Sequence, residues 1–545
     1  MDKKHILILG AGVMQLPALR WARAHGWYVY AADGNPLAVG IPLANRFIHV
    51  DLTDVEGMIA AASDIRKRER LDGVFTAGTD FSYTVARVAE ALELPGLSPQ
   101  VAYRATNKAE MRRVLKEYGV SSPGFAILPK DSSPDEAIRD LRFPLVVKPV
   151  DNMGARGIRR IDTRQEYRQA IEDARQHSRC GTVIVEEYIP GSEFSIDALV
   201  VHGEVIYTGI ADRHIFFPPY FVEMGHTIPT AADGEVLKRV KETFEAAVHA
   251  IGIDNGAAKG DIKWDGKRAV IGEVAARLSG GYMSGWTYPY CSGVELTGAA
   301  LRQAVGEQPE GLTPVLDRVS AERAFISIPG IVESVECIEE AKETAGIKEM
   351  FVRVEPGDFI DFPTNNVEKC GNFIAVADTR KDAVWAAEEA CRTVFVRLKP
   401  GNRRTRDFLR DNRSTRIPSA FELEHPDNIA ALDRMPEMER ARTADGDTPR
   451  GGRQSDRPPD RHPEQPRIGV KPLPRIEEEK SRDWHGMTLP VAFRRVLELS
   501  QLTLVDDDND ADIVVGSLFW NAFLKGGLQA GVWIVDTIRG EGRGV

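Results

Sequence analysis

Short apolar runs and amphipathic stretches take turns along roughly the first 400 residues, a rhythm that predicts strands and helices alternating in layered α/β domains. An apolar strand ending at Leu9 leads into Gly10 and Gly12, then an amphipathic helix from Leu16 to His25, then a second strand from Trp27 to Asp33. Gly10, Gly12 and Asp33 match part of a dinucleotide-binding fingerprint. Gln15 stands where its third glycine belongs, so no NAD site is expected. A strand at Leu71 to Phe75 and a loop of Gly78, Thr79 and Asp80 carry the alternation to about residue 100, and such loops at strand ends commonly line a cleft. A capped helix from Thr106 to Gly119 then holds Lys108 in its first turn.

The segment from Phe143 to Ile158 carries the most chemistry. Its apolar strand delivers Lys148 beside a loop containing Gly154, Arg156 and Gly157. Glycines let backbone N–H groups approach phosphate oxygens, while Lys148 and Arg156 add fixed positive charge, so the segment reads as a triphosphate grip. The apolar neighbours of Lys148 also mean that its ammonium needs an anion, either a ligand or a structural ion pair. A second strand, from Thr182, ends in Glu186, Glu187, Tyr188 and Ile189, then breaks at Pro190 and Gly191 before Glu193. Such a hinge can hydrogen-bond adenine through its backbone while carboxylates hold the amino group and ribose hydroxyls, which singles out Glu186, Ile189 and Glu193. After a hairpin about His202 and Gly203, the aromatic, proline-broken stretch from Asp212 to Thr227 is expected to overhang an acceptor site, with Arg213 and His226 as substrate contacts. Asp261 and Glu273 fall on two strands joined by an Asp265-Gly266 turn and offer oxygens to magnesium. Arg277, four residues on, brings a rigid fork of donors suited to a phosphoryl or oxyanion transition state.

These pieces, in this order, resemble the ATP-grasp superfamily of carboxylate–amine ligases, the group of the carbamoyl-phosphate synthase large chain, biotin carboxylase, D-alanine ligase and the L-amino acid ligases. Asn107-Lys108, Lys148-Pro149, the glycine loop, the run from Glu186 to Glu193 and the run from Glu273 to Gly281 carry the likeness, which covers about residues 1 to 400. The resemblance implies an α/β and α+β architecture. A Rossmann-like preATP-grasp domain would fill 1–105, an ATP-grasp domain with a lid at about 140–210 would fill 106–305, and a C-terminal α/β module would fill 306–410. It also implies ATP with Mg2+, or Mn2+ in its place; Lys108 on the α-phosphate; Lys148, Gly154, Arg156, Gly157, Glu186, Ile189 and Glu193 around the nucleotide; Asp261 and Glu273 on the metal; and Arg277 with Lys148 in catalysis. Two positions depart from the pattern: Asp261 replaces the usual Glu, and Ala275 the usual Asn two places after the second acid, which leaves Ser279 or water to serve a second metal. The implied reaction is ATP-driven amide or peptide bond formation through an acyl phosphate. Alternatives are a carbamoyl-phosphate synthase-like or carboxylase-like enzyme using bicarbonate, and a non-catalytic ATP-binding regulatory protein.

Composition narrows the setting. The 545 residues, 43% of them hydrophobic, suffice for about three domains. A net charge of −11 argues against nucleic acid as a partner, and no apolar stretch is long enough for a bilayer. Five scattered cysteines without a Cys-x-x-Cys pair suit reduced thiols, so a cytoplasmic enzyme of small-molecule carboxylates and amines is expected, with homo-oligomers compatible. Residues 411–467 read as a largely disordered linker, and 468–545 as a small separate α/β segment with strands at Leu502 to Val505, Asp512 to Val515 and Val532 to Val535. Cutting after about residue 440 would then sever little packing. Asp506 to Asp510 imitates a calcium loop but lacks its later positions and reads as a solvated turn.

Overall fold

The computed structural model describes residues 3–132, 134, 138–410, 417–441, 467–505, 511 and 513–541. A parallel sheet comes first, in the order Arg46–His49, Tyr28–Asp33, His5–Leu9 and Gly73–Phe75. Ile6 and Ile8 pack on one face of it, Leu7 and Leu9 on the other, the two-sided burial that parallel strands require. Gln15 shows why the dinucleotide fingerprint fails. Its amide oxygen accepts from Gly12 N at 3.1 Å and its nitrogen donates to the Ala77 carbonyl, while a Cβ on Gly10 would lie 2.8 Å from its Cδ. Asp33 accepts from Ala11 N at 2.8 Å, so side chains of the protein fill and close the loop.

A small antiparallel sheet follows, ordered Phe125–Leu128, Val183–Glu187, Leu145–Pro149 and Arg159–Ile161. It packs on the helix Arg164–His177 through Leu145, Val147, Tyr167, Ile171, Val183 and Val185. This lid ends at Glu187 rather than near 210. The hairpin at His202 and Gly203 forms as expected, but its strands Ser192–Val201 and Glu204–Phe216 belong to an eight-stranded sheet. The reason is burial: Ile196, Ala198 and Val200 lie under the helix Gly234–Ile251, a core that the small sheet could not supply.

The large sheet runs Ala269–Ala275, Gly256–Trp264, Ser192–Val201, Glu204–Phe216, Val222–Ile228, Val319–Phe325, Gly371–Ala377 and Ile347–Val352. Pairing of Val222–Ile228 with Val319–Phe325 makes the C-terminal module an extension of this large sheet. The tail also differs from expectation. Residues 417–441 are folded: Phe421 is buried and its N–H donates to the Leu524 carbonyl at 2.9 Å, and the helix Pro426–Arg434 buries Asn428, which donates to Glu479 at 2.7 Å. Val532 to Val535 are helical, inside Ser517–Glu541, a helix interrupted at Gly527. All four side chains are buried, and a short apolar run buried all round gives no periodicity by which to separate strand from helix. One core joins Phe325, Phe373 and Phe395 to Phe421, Val496, Trp520 and Trp533, so the tail and the C-terminal module form a single packed body. Residues 411–416 and 442–466 of the expected linker and the acidic run Asp506 to Asp510 lie outside the described residues.

Candidate functional site

A cleft of about 350 Å³ opens between the small sheet and the large one. Every residue proposed above to touch nucleotide, metal or substrate lines it except Gly157, which sits one place before the lining residue Ile158. Lys108 starts the helix Lys108–Glu117, capped by Asn107 Oδ1, which accepts from Ala109 N and Glu110 N. Its ammonium donates to the Asn152 carbonyl at 2.8 Å and lies 3.5 Å from Glu273. Lys148 Nζ stands 2.7 Å from Glu186 Oε2. The other Glu186 oxygen lies 2.8 Å from Arg112 Nε, a charge contact that lacks the angle of a hydrogen bond. Burial alone would raise the Glu186 pKa, but Arg112 and Lys148 outweigh it and hold the carboxyl at about 2. Expected against adenine, Glu186 instead commits both oxygens to cations and fixes Lys148.

Gly154 and Gly157 adopt φ values of 69° and 70°, the left-handed geometry that the loop needs. The Gly154 carbonyl accepts from Asn366 N at 2.9 Å, so the C-terminal module touches the glycine loop. Arg156 is exposed beside it, donating to the Met153 carbonyl at 3.1 Å.

Asp261 and Glu273 are cross-strand partners. Asp261 accepts from Ser195 Oγ at 3.1 Å, lies 3.3 Å from Arg213 and pairs with Lys259. Burial disfavours the Glu273 charge, yet Lys108, Lys259, Arg277 and Lys148 together hold it well below the usual carboxylate range. Both carboxylates are hard oxygen donors, and among the described residues no group of three or more His, Cys, Asp or Glu could hold a metal. That donor set fits one magnesium ion taking its remaining oxygens from phosphates and water. Ala275 is buried and offers no oxygen. Ser279 Oγ is also engaged, donating to Asp197 at 2.6 Å.

Asp197 went unremarked in the sequence, although an acid inside the apolar run from Phe194 to Val201 was the available signal. Wholly buried, it accepts from Ser279 N, Ser279 Oγ and Ser284 Oγ, which pins the loop that carries Arg277. Arg277 Nε donates to Asp80 at 3.2 Å, so the Gly78–Asp80 loop reaches the cleft and aims this guanidinium.

Further out, Arg213 lies 2.7 Å from Glu223 and 3.7 Å from Glu193. His226 sits between Glu223, at 3.6 Å, and fully buried Glu322, at 3.3 Å. Burial and Arg323 push His214 down to about 3, leaving a neutral ring 3.0 Å from Thr227 Oγ1. Arg353 and Lys369 reach the cleft from the C-terminal module, beyond the motifs, and nothing in their sequence surroundings marks them.

Residues 141–285 match the ATP-grasp domain, and residues 324–399 match L-amino acid ligase C-terminal domain 2. The chain carries an ATP-grasp domain. An uncharacterized protein of Sinorhizobium fredii is 26% identical over 396 residues, covering 71% of this chain and 81% of its own. Carnosine synthase 1 of Mus musculus is 24% identical over 57% of this chain, which spans 40% of that enzyme's length. The L-amino acid ligase structure from Bacillus licheniformis superposes with a TM-score of 0.66 at 23% identity, covering 73% of this chain and all of that one, which shows a shared fold. Relatives with an assigned activity include an L-amino acid ligase and a D-alanine–D-alanine ligase, and among the described residues no helix is long and apolar enough to cross a membrane.

Proposed function

We propose that the protein is an ATP- and magnesium-dependent carboxylate–amine ligase that forms an amide or peptide bond through an acyl phosphate. One observation carries the reading: Lys108, Lys148, the Asp261–Glu273 pair and Arg277 converge on a single cleft, with Lys108 held by the Asn152 carbonyl, Lys148 by Glu186, Asp261 by Ser195 and Arg277 by Asp80. Lys108 and Lys148 bind the phosphates, with the glycine loop folded over them and Ile189 and Glu193 at the nucleoside end. A magnesium ion held by Asp261 and Glu273 would neutralise phosphate charge. Substrate carboxylate oxygen attacks the γ-phosphorus and the bond to ADP breaks; Arg277 donates to the equatorial oxygens as charge develops. The amine then attacks the acyl carbon, the C–O bond breaks, and phosphate leaves with the former carboxylate oxygen. Arg277 donates again to the tetrahedral oxyanion, while His226, between two carboxylates, lies on the acceptor side with Arg213. The lid keeps water from the acyl phosphate.

The names of relatives support amino acids as substrates, the D-alanine–D-alanine ligase B of Pseudomonas putida and the L-arginine-specific L-amino acid ligase of Bacillus subtilis among them. A magnesium-dependent phosphate-release screen over amino acids, dipeptides and bicarbonate, with product masses, tests this reading. Amide products with equal ADP and phosphate support it. Carboxylated or carbamoylated products favour the bicarbonate chemistry, and ATP binding without turnover across the panel favours a sensor.

A further inference from the structure

Charge in the outer half of the cleft is unevenly matched. Arg213 faces Glu193, Glu223 and Asp261, and His226 is bracketed by Glu223 and Glu322. Arg353 and Lys369 stand apart: each lines the cleft, and neither forms an ion pair with a described carboxylate. The backbone sets them side by side, because Arg353 N donates to the Cys370 carbonyl at 2.9 Å, continuing the register of the strands Ile347–Val352 and Gly371–Ala377. Lys369 is 4% exposed, and among the described residues its ammonium has one hydrogen-bond partner, the Glu223 carbonyl at 2.8 Å. Arg353 donates to Tyr282 Oη at 2.9 Å and to the Asn366 carbonyl at 3.4 Å, both neutral. Burial, reinforced by Arg353, pulls the Lys369 ammonium below the usual lysine value despite Glu322 and Glu223 nearby. Adjacent cations, one of them buried with spare N–H donors, are costly unless an anion joins them. The phosphate grip has its own cations in Lys108 and Lys148, which come from other elements. Tyr282 lies on the loop that carries Arg277, so the unmatched charge opens close to the reacting end of the cleft.

We propose that Arg353 and Lys369 form a carboxylate subsite for the amine-donating substrate. The donor is therefore an amino acid or peptide bearing its own free carboxylate, and neither ammonia nor a simple amine. The inference rests on the ligase reading for its chemistry but not for its binding, and the test separates the two.

The full-length protein with MgADP is titrated with the standard L-amino acids as free acids and as their primary carboxamides, following thermal shift, and the same pairs are offered as donors in ATP-dependent phosphate release. Free acids should bind and serve at least about tenfold better than their amides. Arg353→Met and Lys369→Met should raise the donor KM about tenfold while the ATP KM stays within about twofold, and Arg353→Lys should recover part of the loss. Arg353 is exposed at the cleft mouth, so Arg353→Met carries the test even where Lys369→Met fails to fold. Amides equal to acids, no binding of any free acid, or variants that raise the ATP KM instead would overturn the subsite. Free acids that bind through Arg353 without any turnover would leave it standing and overturn the ligase reading.

Discussion

Glu186 is the residue on which the phosphate side turns, because it neutralises buried Arg112 and aligns Lys148 in the same act. Its folded pKa of about 2 lies below the ordinary 4.5, so the stability it contributes is complete above about 4.5 and is lost as pH falls toward 2. Glu186→Gln should cost about 3 kcal/mol at pH 7, since it leaves two cations facing each other. That difference from the parent should shrink through pH 4.5 to 2, as denaturant unfolding followed across pH would show. A constant gap would mean that Glu186 is not the anchor. At the chemistry itself, Glu273→Gln keeps size but loses charge, and should cut turnover strongly while nucleotide affinity falls less, because Lys108 and Lys148 remain. Arg277→Lys cannot reproduce the fork and should lower kcat on the order of a hundredfold. Steady-state kinetics beside nucleotide titration would check both; parental turnover in both variants would place the chemistry elsewhere.

At the level of elements, the glycine loop makes a contrast that isolates shape from general strain. Gly157 has positive φ and a Cβ there would meet His177 Cβ at 2.6 Å, whereas Gly119, equally left-handed at 68°, has nothing within 4 Å. Gly157→Ala should displace the loop and raise the ATP KM about tenfold, while Gly119→Ala should cost about 1 kcal/mol of stability with that KM unchanged. Equal effects on the ATP KM would detach the loop from nucleotide binding. Elements of this kind were legible in the sequence because glycines, caps and charged residues beside apolar strands have local causes: the helix behind Lys108, the hairpin at His202 and the Asp261–Glu273 pair all appear where spacing put them. Partners reached across the fold were not legible. Arg112 meets Glu186 only once the fold brings its helix to the small sheet, and Arg353 and Lys369 enter only because the C-terminal module joins the large sheet through Val222–Ile228 and Val319–Phe325, a pairing no local pattern announces. The helix at Val532 to Val535 was misread for the related reason that burial on every side erases periodicity.

For the whole molecule, the shared core makes the tail structural. Trp533, a buried residue of the helix Ser517–Glu541 that donates to the Lys399 carbonyl at 2.9 Å, ties it to the module. Trp533→Ala should cost about 3–5 kcal/mol, and removal of residues after 440 should expose Phe325, Phe395 and Phe421 and yield aggregated or partly unfolded protein by light scattering and circular dichroism. A monodisperse truncate that keeps the secondary structure of residues 3–440 would show that the core is separable after all. The central claim, that ATP activates a carboxylate as an acyl phosphate, is tested most directly with a substrate carboxylate labelled with ¹⁸O in both oxygens, using the acid accepted in the phosphate-release screen. After turnover with the amine donor, mass analysis of the phosphate should find one ¹⁸O per molecule and the amide should retain the other. Unlabelled phosphate accompanying amide formation would contradict the account.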